Sequence, residues 1–174
     1  PEDWAGRNMH FGIRENAIRL AELHLTAEPG LISALLAIRH DPDAKVRYQL
    51  LCTLGFIHTA QADKARQELL FKDINDKWVR IAALSAGSSQ SVPLRNAVLS
   101  TFDPRNKAYA SLVQLLGGII GKSQNTKVIQ QFLQKGTSSV LNGQIAWQAP
   151  LLEGLSEGLA NRKSLPAALS SLRN

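Results

Sequence analysis

Asp41-Pro42-Asp43-Ala44-Lys45-Val46-Arg47-Tyr48-Gln49-Leu50-Leu51-Cys52-Thr53-Leu54-Gly55 reads as a tight turn, a helix cap and a helix with one apolar face. Pro42 cannot continue a helix and disfavours helical geometry in the residue before it. Asp43 stands three residues before Val46, where a carboxylate accepts the unpaired amides of a first turn. The same design occurs on either side. Ile13-Arg14, Val46-Arg47 and Val79-Arg80 open three helices spaced 33 residues apart. Helical patterning at such a period means stacked helical hairpins, each covering an apolar face that it cannot bury alone.

The three helices superpose by offset. Ile13, Val46 and Val79 stand at the start. Ala17, Leu50 and Ala83 lie four residues on, Ile18, Leu51 and Leu84 five on, and Ala21, Leu54 and Gly87 eight on. These offsets form one stripe at helical period. Arg14, Arg47 and Arg80 recur one residue after each start, and Asp76 precedes Val79 as Asp43 precedes Val46.

Around this repeat the pattern predicts helices over about 11–24, 31–40, 44–58, 63–72 and 77–87. Beyond Gly87 the period loosens. Helices are expected over about 93–100, 107–120, 126–134 and 143–159, with a short one near 165–172. Pro150 is expected to kink or split the ninth, and Gly121 to end the seventh. The expected fold is all-α: a right-handed superhelix of about five hairpins in one domain, 1–174. Its regular repeats cover about 11–87 and its divergent repeats about 88–174.

Composition agrees with packed helices. Apolar residues make up 44% of the 174 and aromatics only 6%, so Leu, Ala and Ile fill the core. Strand signals are weak, with no long alternation of period two. No apolar run approaches the ~18 residues that span a bilayer, so direct membrane insertion is not expected. The N-terminus Pro1-Glu2-Asp3-Trp4 lacks a signal-peptide pattern and reads as that of an excised or processed piece.

The net charge of +6 is unevenly placed. Residues 1–80 balance at 11 Lys/Arg against 11 Asp/Glu, and residues 81–174 hold 9 against 3. A basic half attracts polyanions or an acidic partner surface, but these charges are scattered, and the sole doublet is Arg162-Lys163.

Chemistry-bearing motifs are few. His10, His24, His40 and His58 are not set in a metal-binding motif. Cys52 is the single cysteine. Inside a helix among apolar neighbours it reads as an inert thiol. Gly117 to Ser123 has Gly-x3-Gly-Lys-Ser, one residue short of a phosphate loop. Trp78 and Trp147 lie on helices with apolar neighbours and read as packing residues. No catalytic, cofactor-binding or metal-binding residue is expected, and no enzyme activity for this segment.

The phrase Asp-Pro-Asp-x-x-Val-Arg, followed by apolar residues four, five and eight on, resembles a HEAT repeat. Asp41 to Gly55 carries it best, then Asp73 to Ala86, then Gly12 to Glu22. The resemblance implies a ladder of turn Asp and helix Arg between adjacent repeats, and so a structural role for Arg14, Asp43, Arg47, Asp76 and Arg80. His10 replaces the first capping Asp.

Longer phrases, Ile13 to Glu22, Val46 to Leu50 with Thr53-Leu54-Gly55, Trp78 to Ser85, and Trp147-Gln148 with Leu152 to Leu159, resemble the HEAT-repeat middle segment of bacterial membrane-bound dehydrogenase-like proteins. In those a sugar-dehydrogenase-like propeller precedes the helical segment and a c-type cytochrome domain follows. A haem domain requires Cys-x-x-Cys-His, so haem and sugar oxidation do not transfer to these residues. What the resemblance implies is a scaffold that contacts a protein partner or neighbouring domains, periplasmic or exported. The alternative is a nucleic-acid-binding HEAT-like protein of the DNA-glycosylase kind, using the basic second half. A bilin-lyase-like activity is a weaker third, with no reactive thiol or acid pair behind it.

Overall fold

A computed structural model describes residues 10–28, 30–85, 91–123, 125–137 and 146–160. Among them every regular element is helical: α1 (Phe11–Glu22), α2 (Gly30–Ala37), a 3-10 turn (Ile38–His40), α3 (Ala44–Leu54), α4 (Ala60–Lys72), α5 (Lys77–Ser85), α6 (Ser91–Ser100), α7 (Lys107–Lys122), α8 (Thr126–Thr137) and α9 (Gln148–Ala160). The chain is all-α. The expected helix near 165–172 lies outside the described residues.

The helix starts follow from short polar side chains. Asp43 Oδ1 accepts from the amides of Lys45 at 2.8 Å and Val46 at 3.4 Å. Thr59 Oγ1 accepts from Ala62, and Asn106 Oδ1 from Ala108. Each satisfies an amide that the first turn leaves without a helical partner. Pro150 does not kink α9. It lies in the first turn, where no amide is required.

Contacts divide the chain into two compact units, Pro1–Leu94 and Arg95–Asn174. In the first, α3 packs on α1, α4 and α5, and α2 packs on α4. Helices α1, α3 and α5 thus form one row and α2 and α4 a second. Leu50, Leu51, Leu54, Leu69 and Leu70 are fully buried between them. The repeat register sorts the faces. Arg14, Ile18 and Ala21 of α1 are buried, as are Arg47, Leu51 and Leu54 of α3. The adjoining face differs: Val46 and Thr53 are 0% exposed, while their counterparts Ile13 and Leu20 are 49% and 61% exposed. Among the described residues no helix covers that side of α1 as α1 covers α3.

The second unit is built on the pair α7 and α9. Gly117 and Gly121 of α7 face Gly154 and Gly158 of α9. A Cβ on Gly117 would lie 2.5 Å from the carbonyl oxygen of Leu151, and one on Gly121 2.6 Å from that of Leu155. Cβ atoms on Gly154 and Gly158 would collide with the carbonyl oxygens of Gln114 and Gly118. Only glycine permits this approach of backbone to backbone. The expectation that Gly121 ends a helix is therefore corrected. The helix continues to Lys122, with Ser123 at its C-cap, because the glycines are a packing seam. Leu112, Val113, Leu116 and Ile120 bury beside the seam with Leu151 and Leu155, and α8 adds Ile129 and Phe132.

Candidate functional site

The arginines at the helix starts join the hairpins. Arg14 donates from Nε to Asp41 Oδ2 at 2.7 Å and from Nη2 to Asp41 Oδ1 at 3.0 Å. Arg47 repeats this on Asp73, with 2.7 Å from Nε to Oδ2 and 2.7 Å from Nη2 to Oδ1. Two parallel N–H···O bonds are the geometry that best uses a planar guanidinium. Arg47 Nη1 also donates to the carbonyls of Asp41 and Pro42, both at 2.8 Å. Each arginine thus ties its own helix to the turn of the next hairpin.

Burial alone would push the Asp41 carboxyl up. The hydrogen bonds from Arg14, the Asp43 amide, and the charges of Arg14 and Arg47 outweigh it and hold the carboxyl below its ordinary value. Hydrogen bonding to Asp41 and Asp73 raises the pKa of Arg14 and Arg47 against the opposing effect of burial.

The acids that hold the arginines are Asp41 and Asp73, while Asp43 and Asp76 do a different task. Asp43 caps α3, and Asp76 Oδ1 accepts from the amide of Trp78 at 2.7 Å. Arg80 donates from Nη1 to the Ile74 carbonyl, 2.6 Å away. Its Nε is buried and has no hydrogen-bond partner among the described residues. His10, at the N-cap position of α1, makes no side-chain cap bond to it. A further buried arginine, Arg66, donates to the Ala83 carbonyl at 2.8 Å and links α4 to α5. Burial lowers its pKa.

The same row carries an exposed surface. Trp78, Phe11 and Ile81 are exposed and Tyr48 is half-buried. Trp78 is 58% exposed, so it is not the packing residue its apolar neighbours suggested. Lys45 Nζ sits 4.9 Å from the Phe11 ring centre and Lys77 Nζ 4.9 Å from that of Trp78, near enough for cation–π attraction. Ala44, Lys45, Tyr48, Asp76 and Trp78 line a depression of about 370 Å³ between the starts of α3 and α5. Register places the side chains: Lys45 and Trp78 precede their valines by one, and Tyr48 and Ile81 follow by two.

Cys52 lies one turn beyond Tyr48. Burial pushes its thiol up, and a hydrogen bond with Tyr48 offsets part of that. Thiolate chemistry is disfavoured there. Among the described residues no three His, Cys, Asp or Glu come together to hold a metal ion. No described helix is long and apolar enough to cross a membrane. Gly117 to Lys122 lie inside α7, which excludes the strand–loop–helix context of a phosphate loop.

Two features escaped the sequence reading. The pairing of Arg14 and Arg47 with Asp41 and Asp73 was hidden because either turn aspartate satisfies the spacing. The glycine seam had a signal in the twin Gly-x3-Gly spacings, 117–121 and 154–158, but nothing in the chain says which helices meet. This chain matches no family model, no curated protein and no solved structure.

Proposed function

We propose that this chain is a non-catalytic helical-repeat scaffold, a right-handed HEAT-like superhelix, that holds a protein partner or a neighbouring domain. The observation that carries this reading is the exposed row Phe11, Tyr48, Trp78 and Ile81, set on helices locked together by buried Arg–Asp pairs. Large aromatic side chains on a rigid support are the residues that anchor interfaces. Function in stacked-hairpin proteins resides in exposed side chains of this kind. The parent protein is proposed to be a dehydrogenase-like, cytochrome-bearing polypeptide, exported or periplasmic, in which this segment bridges domains.

The test is cross-linking of the chain in its parent protein, comparing wild type with the double variant Phe11→Ala, Trp78→Ala. Lost cross-links with unchanged thermal stability are expected, and unchanged cross-links overturn the assignment of this face. A parent gene with an upstream propeller and a downstream Cys-x-x-Cys-His would support the bridging role. The charge excess of residues 81–174 favours a second reading, nucleic-acid binding. Duplex DNA binding that weakens steeply with salt would establish it, and no binding at low salt would remove it.

A further inference from the structure

We propose that Arg80 is a carboxylate-binding fork awaiting an acid that the described residues of the first unit do not supply. Three arginines occupy one register, and two show what the position does. Arg14 and Arg47 each turn the edge formed by Nε and Nη2 toward an aspartate and close two hydrogen bonds on it. Arg47 steadies the opposite edge by donating from Nη1 to the carbonyls of Asp41 and Pro42 in the turn before its own helix. Arg80 has that same anchor, with Nη1 on the Ile74 carbonyl. Its gripping edge has no carboxylate among the described residues, and its Nε is buried without an acceptor.

A buried donor left without a partner is destabilising. A guanidinium already oriented by a backbone carbonyl loses little freedom on accepting an oxyanion. Exposure agrees. Arg80 and Leu84 of α5 are partly exposed where Arg47 and Leu51 of α3 are buried. The ligand class is a carboxylate because the fork spans two oxygens in one plane, as Asp41 and Asp73 present them. Its source is an Asp or Glu side chain of polypeptide packing against the exposed edge of α5. The source rests on the scaffold reading, but the fork itself does not.

The experiment is a proton–nitrogen correlation spectrum of the arginine Nε–H groups of the whole chain, titrated with sodium acetate and, separately, with sodium chloride at matched ionic strength. Acetate is expected to move the Arg80 signal saturably downfield. Arg14 and Arg47, already filled, should stay put, and chloride should move none of them. Arg80→Lys identifies the signal and should abolish the response, and Arg80→Gln serves if that variant does not fold. An unmoved Arg80 signal, or equal responses to acetate and chloride, overturns the proposal. So does an Arg80 signal that resembles those of Arg14 and Arg47 before any acetate is added. An acetate response in a protein with no polypeptide partner would sink the scaffold reading and leave the fork standing. A silent Arg80 in a protein that cross-links through Phe11 and Trp78 would do the reverse.

Discussion

At the scale of single residues, Arg47 holds more of this structure than any exposed charge. It joins Asp73 to the carbonyls of Asp41 and Pro42 from a side chain 8% exposed. Removing one partner of such a pair leaves the other charge buried, so Arg47→Ala should cost about 3–5 kcal/mol of unfolding free energy in a denaturant titration. Arg47→Lys should recover little, because an ammonium cannot make two parallel bonds. The Arg39–Glu68 pair at 3.2 Å, with both side chains well exposed, should contribute well under about 1 kcal/mol. Asp41 gives the pH dependence. Its folded pKa lies below the unfolded value, so its contribution is fully present above the ordinary carboxylate range. That contribution is lost as pH falls through the folded value. Asp41→Asn should therefore lose stability at neutral pH and show a shallower decline on acidification than wild type. The sequence made the three arginines legible through their register. Their acids were ambiguous, since Asp41 and Asp43 share one turn and differ only in which way each side chain is presented.

At the scale of helices, register predicts tolerance. Leu20 and Thr53 are equivalent positions, but Thr53 is buried and donates from Oγ1 to Glu22 Oε2 at 2.8 Å. Leu20→Glu should stay within about 0.5 kcal/mol of wild type. Thr53→Glu, which buries a charge beside Glu22, should abolish cooperative unfolding or lower its midpoint sharply. The seam of α7 and α9 gives a second contrast. Gly117→Ala places a methyl against the Leu151 carbonyl oxygen and should cost about 1–3 kcal/mol. Gly118→Ala meets only the Gly154 carbonyl oxygen at 3.7 Å and should gain up to about 1 kcal/mol from helix propensity. Chemical denaturation of the two variants checks both signs. Helix positions were legible because apolar spacing and turn residues are local. The meeting of α7 with α9 was not, because contact between helices far apart in sequence depends on shape that no local pattern encodes.

At the scale of the whole molecule, contacts divide the chain into two compact units, Pro1–Leu94 and Arg95–Asn174. Perturbations in one should leave the local stability of the other alone, as distant sites generally add. Native-state hydrogen exchange should show Arg47→Ala loosening the amides of α3 and α4 while α7 and α9 keep their protection. Gly117→Ala should do the opposite. Loss of protection in both units from either change would mean that they unfold as one. The period of 33 residues was readable only through the first unit. Among the described residues of the second, glycine-bearing helices pack tightly where the first has arginine clasps, and the 33-residue register of the first unit loosens beyond Gly87.

The lone thiol has a consequence for handling and detection. Cys52 is the only cysteine in the chain, and burial keeps it largely protonated at neutral pH. An oxidant therefore finds little thiolate on the native fold and much more once α3 opens. Disulfide-linked dimers on a non-reducing gel would then count molecules that have unfolded rather than molecules that have associated. A single maleimide dye, attached after brief alkaline exposure, would sit one helical turn from Tyr48 as a built-in reporter of what settles on that face.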